Sequence, residues 1–254
     1  MAVESPARIA VLGAGPIGLE AALYARYLGY EVDVYERGRV AEHLLQWGHV
    51  RLFTPFAANA SPLGISALAA QDQNWKPPPV EALTTGREFA ERYCIPLSQS
   101  DLLVDGVHEQ TEVLAISRGP LRRQELTGED RAAFDFRLLL GSTGGGRFPA
   151  GERFATADVV IDCTGTYGNH NWLGAGGIPA IGELAASDQI EYGVPDVLGR
   201  DRERYAHHHT LVVGSDRLAA SVVTALAQLG HEAPFTQITW IDGASDNRGA
   251  ENDG

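Results

Sequence analysis

Three glycines and one acid carry the most readable chemistry in this sequence. Gly13, Gly15 and Gly18 form a GxGxxG turn across Gly13-Ala14-Gly15-Pro16-Ile17-Gly18, and Glu36 follows 18 residues after Gly18. Gly13 permits a sharp turn. Gly15, lacking a side chain, lets a pyrophosphate approach the backbone, and Gly18 lets a helix pack closely on a sheet. The start of such a helix offers unpaired N–H groups and the positive end of a dipole to phosphates, with Pro16 and Ile17 in the same turn. A carboxylate at Glu36 accepts both hydroxyls of an adenosine ribose and repels a 2′-phosphate. The chemistry these residues suit is dinucleotide binding.

The elements needed to position them are legible on either side. Residues 9–12 (Ile-Ala-Val-Leu) form an apolar run that fits a parallel strand buried on both faces. Residues 19–28 fit a helix closed by Gly29, and residues 31–35 (Glu-Val-Asp-Val-Tyr) fit a second strand that ends at Glu36. Strand, turn, helix, strand and acid together form the context a bare GxGxxG lacks.

Composition narrows the class. The 254 residues carry 20 Lys and Arg against 33 Asp and Glu, a formal charge of −13, which argues against a nucleic-acid partner. Apolar residues make up 44% and charged residues 21%, as in globular domains. The apolar runs are strand-length, far short of the roughly 20 residues a membrane-spanning helix needs. The N-terminus lacks a basic leader region, and Cys94 and Cys163 form no CxxC. These features point to a cytoplasmic protein with reduced thiols and no membrane partner.

Beyond Glu36 the chain departs from a simple alternation of strands and helices. Residues 41–62 read as a long structured loop rich in aromatic and polar side chains, with Trp47, His49, Arg51 and Asn59 as candidate site-lining residues. Residues 75–79 form a proline-stiffened connector, and residues 85–93 read as a helix with Thr85 and Glu88 in a capping box. Cys94, with no base or cation beside it in sequence, reads as a packed apolar residue. Runs 111–117, 123–126 and 134–140 suggest a three-stranded antiparallel meander, and residues 141–146 a flexible glycine turn. Residues 157–166 read as a buried strand ending in Thr164-Gly165.

These motifs together resemble the two-dinucleotide-domain flavoproteins, which include flavin-containing monooxygenases and pyridine-nucleotide disulfide oxidoreductases. Glu20 extends the turn to the GxGxxGxE form of their FAD site, though read alone it is a solvated acid near a helix start. Tyr35-Glu36-Arg37-Gly38 resembles their second-strand ending. The resemblance implies FAD as cofactor, with Arg37, Trp47 and Arg51 near it, Thr164 and Gly165 close to its pyrophosphate or adenine end, and the Val113 backbone against the adenine. The fold class is then α/β: a Rossmann-like FAD-binding domain with an antiparallel β-meander, plus the start of a second Rossmann-like NAD(P) domain. The domains would be 1–170, a crossover linker 171–206, a partial NAD(P)-binding domain 207–243 and a disordered tail 244–254.

The second nucleotide motif is altered. Residues 210–219 repeat the strand–glycine–helix theme, and Gly214 and Ala219 fit a GxGxxA turn. Asp216 stands where the middle glycine belongs, so a pyrophosphate would meet added bulk and like charge. His207, His208 and His209 are adjacent, so they cannot all face one metal on a strand. No metal site is expected. The resemblance implies a continuation after residue 254, so the chain reads as short or truncated, self-associating or completed by a partner chain. Three readings follow: an NAD(P)H-linked, monooxygenase-like flavin oxidoreductase acting on a small molecule, a dinucleotide-binding module without turnover, and a plain NAD dehydrogenase, which the meander and the Thr-Gly strand disfavour.

Overall fold

The computed structural model describes residues 6–119, 122, 134–143 and 151–242. The chain forms two compact units, Met1–Gly168 and Asn169–Gly254. In the first, strand β1 (Arg8–Leu12) leads through the glycine turn into helix α1 (Pro16–Tyr27) and back to strand β2 (Glu31–Tyr35). A parallel sheet forms in the order β3 (Val107–His108), β2, β1, β7 (Val159–Asp162). β1 pairs Leu12 with Tyr35 on one side and with Asp162 on the other.

The two-residue period of β1 explains its unbroken apolar sequence. Ile9 and Val11 pack toward α1, where Leu19, Ala22 and Leu23 are fully buried. Ala10 and Leu12 pack on the opposite face, against Leu138, Leu140 and Ala157. A strand covered on both sides has no position for a polar side chain.

That second face is covered by an antiparallel sheet of β4 (Thr111–Arg118), β5 (Phe136–Ser142) and β6 (Arg153–Ala157). The meander exists, but its third strand is 153–157. The expected run 123–126 lies outside the described residues, as do residues 144–146 of the glycine turn and the tail 244–254. Gly141 and Ser142 do not form a flexible turn, because both pair with β4. Asp158 then turns the chain into β7. It accepts the Arg8 backbone N–H at 2.8 Å and a guanidinium contact at 3.3 Å, locking the start of β1 to the start of β7.

The long segment after β2 is more ordered than a loop. It holds α2 (Glu42–Gln46), α3 (Phe56–Asn59) and α4 (Pro62–Gln71). α4 is capped by Ser61, whose hydroxyl accepts from the Gly64 backbone N–H. α5 (Gly86–Phe89) has the expected Thr85–Glu88 capping box. It does not stop near Tyr93. The helix continues through a π-helical stretch at Ala90–Cys94 into α6 (Ile95–Ser98). The π turn carries the helix across Pro96, which has no N–H to give.

The second unit contains α7 (Arg202–Tyr205) and a parallel pair, β8 (His209–Val213) and β9 (Gln237–Ile241), joined by α8 (Arg217–Glu232). Val197, Tyr205, Val212, Leu226 and Leu229 form its core. Residues ahead of α7 gather around the buried Glu183 carboxylate, which accepts from the Leu173 and Ala180 N–H groups and the Tyr192 hydroxyl. Among the described residues no helix is long and apolar enough to cross a membrane.

Candidate functional site

The first sheet has its topological switch point between β1 and β7. The chain leaves β1 for β2 and β3 on one side and returns to β7 on the other. In open α/β sheets the crevice at the carboxyl ends of such strands is where ligands bind. Here it is bordered by the Gly13–Gly18 turn after β1, Glu36 after β2 and Thr164-Gly165 after β7.

Gly13 has φ +96°, a left-handed conformation, and a Cβ there would sit 2.7 Å from the Cys163 carbonyl oxygen. Its N–H donates to the Tyr35 carbonyl at 2.8 Å. Gly18 is a matter of close approach, since a Cβ would lie 1.9 Å from the Gly13 carbonyl oxygen. Gly15 differs from both. Its φ of −75° suits any residue, and a Cβ there meets nothing within 4 Å. Among the described residues nothing in the packing requires glycine at this position. It opens α1 without a side-chain cap, and Pro16 supplies the first helical residue. Ile17 in the next position is 72% exposed. Open space beside an uncapped helix start is the cradle a pyrophosphate fits.

Glu36 is fixed from both sides. One carboxylate oxygen accepts the Ala14 N–H at 2.8 Å and the other the Gly38 N–H at 2.7 Å. Each oxygen keeps a lone pair for a ribose hydroxyl. Arg37 is exposed, and its carbonyl accepts from the Thr143 hydroxyl at 2.6 Å. After β7, Asp162 accepts both the N–H and the hydroxyl of Thr164, at 3.0 and 2.7 Å. These two bonds hold the Asp162 carboxyl below its ordinary pKa. Gly165 has φ +66° and faces open space. Val113 lies at an irregularity in the β4–β5 pairing.

The other candidates lie in the helical segment between β2 and β3. Trp47 packs on the main core and directly over Gly86. Its ring also lies 6.1 Å from that of Tyr167, which stands 5.3 Å from His43. The Ala41 N–H donates to the Ala14 carbonyl, so α2, which carries His43, begins against the glycine turn. His43 and Tyr167 had no sequence motif to mark them. Arg51 donates to the Leu83 carbonyl at 2.6 Å and bridges to Thr85. His49 is exposed. Asn59 spends both amide hydrogens on the Thr54 and Pro55 carbonyls, which leaves it no donor for a ligand.

Glu20 is not a solvated helix-start acid. It lies one turn in, accepting from the Tyr93 hydroxyl and from the Ser61 N–H, and so ties α1 to α4 and the π segment. Burial foremost, then Glu20, pushes the Tyr93 hydroxyl far up. Cys94 is fully buried and its thiol is pushed far up by burial, as a packed residue should be. Burial, and then Asp162, also raises Cys163. Among the described residues no group of three or more His, Cys, Asp or Glu side chains could hold a metal. The three adjacent histidines bond to Pro234, Ala206 and Thr239 respectively.

No protein-family model matches the sequence, and no curated protein matches it. Solved structures do. Bacillithiol disulfide reductase Bdr (YpdA) from Bacillus cereus is 15% identical with a TM-score of 0.58, over 94% of this chain and 59% of that one. S-allyl-L-cysteine S-oxygenase from Allium sativum is 16% identical with a TM-score of 0.53, over 98% of this chain and 54% of that one. OTEMO in complex with FAD and NADP is 17% identical with a TM-score of 0.55, over 94% of this chain and 39% of that one. The chain therefore spans less than two thirds of the length of these structures. It shares the mixed α/β, Rossmann-type fold of these structures, one of which, OTEMO, is in complex with FAD and NADP.

Proposed function

We propose that the first unit binds FAD at the switch point between β1 and β7, and that the protein is a flavin-dependent oxidoreductase. The observation that carries this reading is Gly15, a glycine that no packing contact among the described residues explains, beside an uncapped helix start and a pre-positioned acid. Gly13–Gly18 would hold the pyrophosphate on backbone N–H groups. Glu36 would orient the adenosine ribose, and the Val113 backbone would border the adenine. Thr164 and Gly165 would border the pyrophosphate or adenine end from β7, and Arg37, Trp47 and Arg51 would stand near the cofactor as the resemblance implies.

Bound flavin supplies hydride and electron transfer, from NAD(P)H to oxygen or another small acceptor. The protein's share is binding, orientation and electrostatics. The monooxygenase-like part of the reading comes from the motif resemblance, and burial disfavours the thiolates of both Cys94 and Cys163. A small-molecule substrate and a partner chain, either a second copy or another subunit, belong to the same proposal.

A second reading is a dinucleotide-binding module without turnover. It is favoured by Asp216, which caps α8 with its own side chain at the second glycine turn. The test is to load the chain with FAD, remove free ligand, and titrate NADH or NADPH under air. Bleaching and recovery of the flavin colour would mark an oxidoreductase. Retained colour that neither nucleotide changes would favour the module.

A further inference from the structure

The second unit contains a structural copy of the first unit's glycine turn, matched position by position. In the first turn the Gly13 N–H donates to Tyr35, the β2 residue paired with Leu12. In the second the Gly214 N–H donates at 3.0 Å to Ile241, the β9 residue paired with Val213. Both glycines have positive φ, +96° and +146°. Gly15 is the N-cap of α1 and Asp216 the N-cap of α8, each two residues past its turn glycine. Three residues into each helix stands the small residue that packs on the turn, Gly18 against Gly13 and Ala219 against Gly214.

The copies differ where a ligand would sit. At Gly15 an added side chain would enter open space, and no side chain caps the helix. At Asp216 a side chain fills that place, and its carboxylate accepts the Ala219 N–H at 2.8 Å. A carboxylate bonded to the start of a 16-residue helix already has the anionic partner that a helix dipole favours. A pyrophosphate would have to displace it and then lie beside its charge. We infer that Asp216 is a specificity determinant that occupies the phosphate seat of the second turn, so that this turn holds no dinucleotide. The NAD(P)H of the proposed activity would then not be held at this turn.

The experiment removes the first site and asks whether the second can be opened. In a Gly15→Val background, NADH binding is measured by equilibrium dialysis with and without Asp216→Gly. The Gly15→Val chain is expected to show no saturable NADH binding, and the added Asp216→Gly to tighten binding by about tenfold or more. Because Asp216→Gly also removes a helix cap, Asp216→Ser is run beside it. Serine keeps a capping hydroxyl and loses the charge, and it too should gain binding. Saturable NADH binding by the Gly15→Val chain that Gly214→Val abolishes would overturn the inference. So would the absence of any gain in whichever Asp216 variant melts cooperatively. Failure of the FAD reading is a separate result, seen as no FAD uptake by the unmodified chain, and it leaves the Asp216 comparison intact.

Discussion

Glu36 and Ala14, 22 residues apart, are joined by a 2.8 Å hydrogen bond from the Ala14 N–H to a Glu36 carboxylate oxygen. The other oxygen holds the Gly38 N–H. The acid after β2 thus fixes the glycine turn after β1 before any ligand arrives. A site built this way loses less order on binding.

Replacing Glu36 by Gln tests that double role. The amide offers one acceptor oxygen, so either Ala14 or Gly38 faces an N–H donor. Stability should fall by about 1.5–3 kcal/mol, the range for hydrogen bonds to a charged group. FAD affinity should fall by about tenfold or more, since a ribose hydroxyl also loses its acceptor. Thermal melting and calorimetric titration separate the two effects. A stability loss with unchanged affinity would assign Glu36 to the turn alone.

The glycines of the turn should divide under substitution. Gly18→Val places a side chain into the Gly13 carbonyl and should unfold or strongly destabilise the first unit. Gly15→Val meets open space in an allowed conformation, so its melting temperature should stay close to that of the unmodified chain while FAD retention is lost. Equal destabilisation by both changes would mean that Gly15 is a packing residue.

The Arg8–Asp158 clamp predicts a pH dependence. The Arg8 N–H and guanidinium hold the Asp158 carboxyl below its ordinary value. A depressed carboxylate adds stability that is fully present above the unfolded value of about 4 and is lost as pH falls through the lowered folded value. Both partners are partly exposed, with 41% and 30% of their side-chain areas accessible, so the effect after screening is about 1 kcal/mol or less. Asp158→Asn should lower stability at neutral pH and flatten the acid limb of the melting curve. An unchanged acid limb would show that other carboxylates carry it.

The two thiols should be slow. Burial raises the pKa of both Cys94 and Cys163, and Cys94 has no exposed surface. A disulfide reagent at neutral pH should modify Cys94 only as the protein unfolds, and Cys163 more slowly than a free thiol. A rapid reaction of either thiol in the folded chain would reopen a thiol-based chemistry.

Local pattern made the first 40 residues readable, because β1, the turn, α1 and β2 each bury what their sequence period says they should. The third meander strand was harder. In Arg153–Ala157 only Ala157 is fully buried, so the segment shows little apolar signal. α4 lacks a one-sided apolar stripe, since Leu63, Ile65, Ala67 and Leu68 spread round it, and the passage of a helix across Pro96 depends on a π turn that no periodicity announces. Around the glycine turn, the turn glycines and Glu36 follow from spacing and Thr164 from the resemblance, whereas His43 and Tyr167 come together only through the return of β7 beside β1. Asn59 reads as a donor by type, yet its own loop consumes it.

The most direct test of the central claim is the visible spectrum of the purified chain after incubation with FAD and removal of free ligand. A retained flavin band is expected in the unmodified chain and none in Gly15→Val, with the two chains melting alike in the absence of FAD. An unmodified chain that retains no more flavin than Gly15→Val would contradict it.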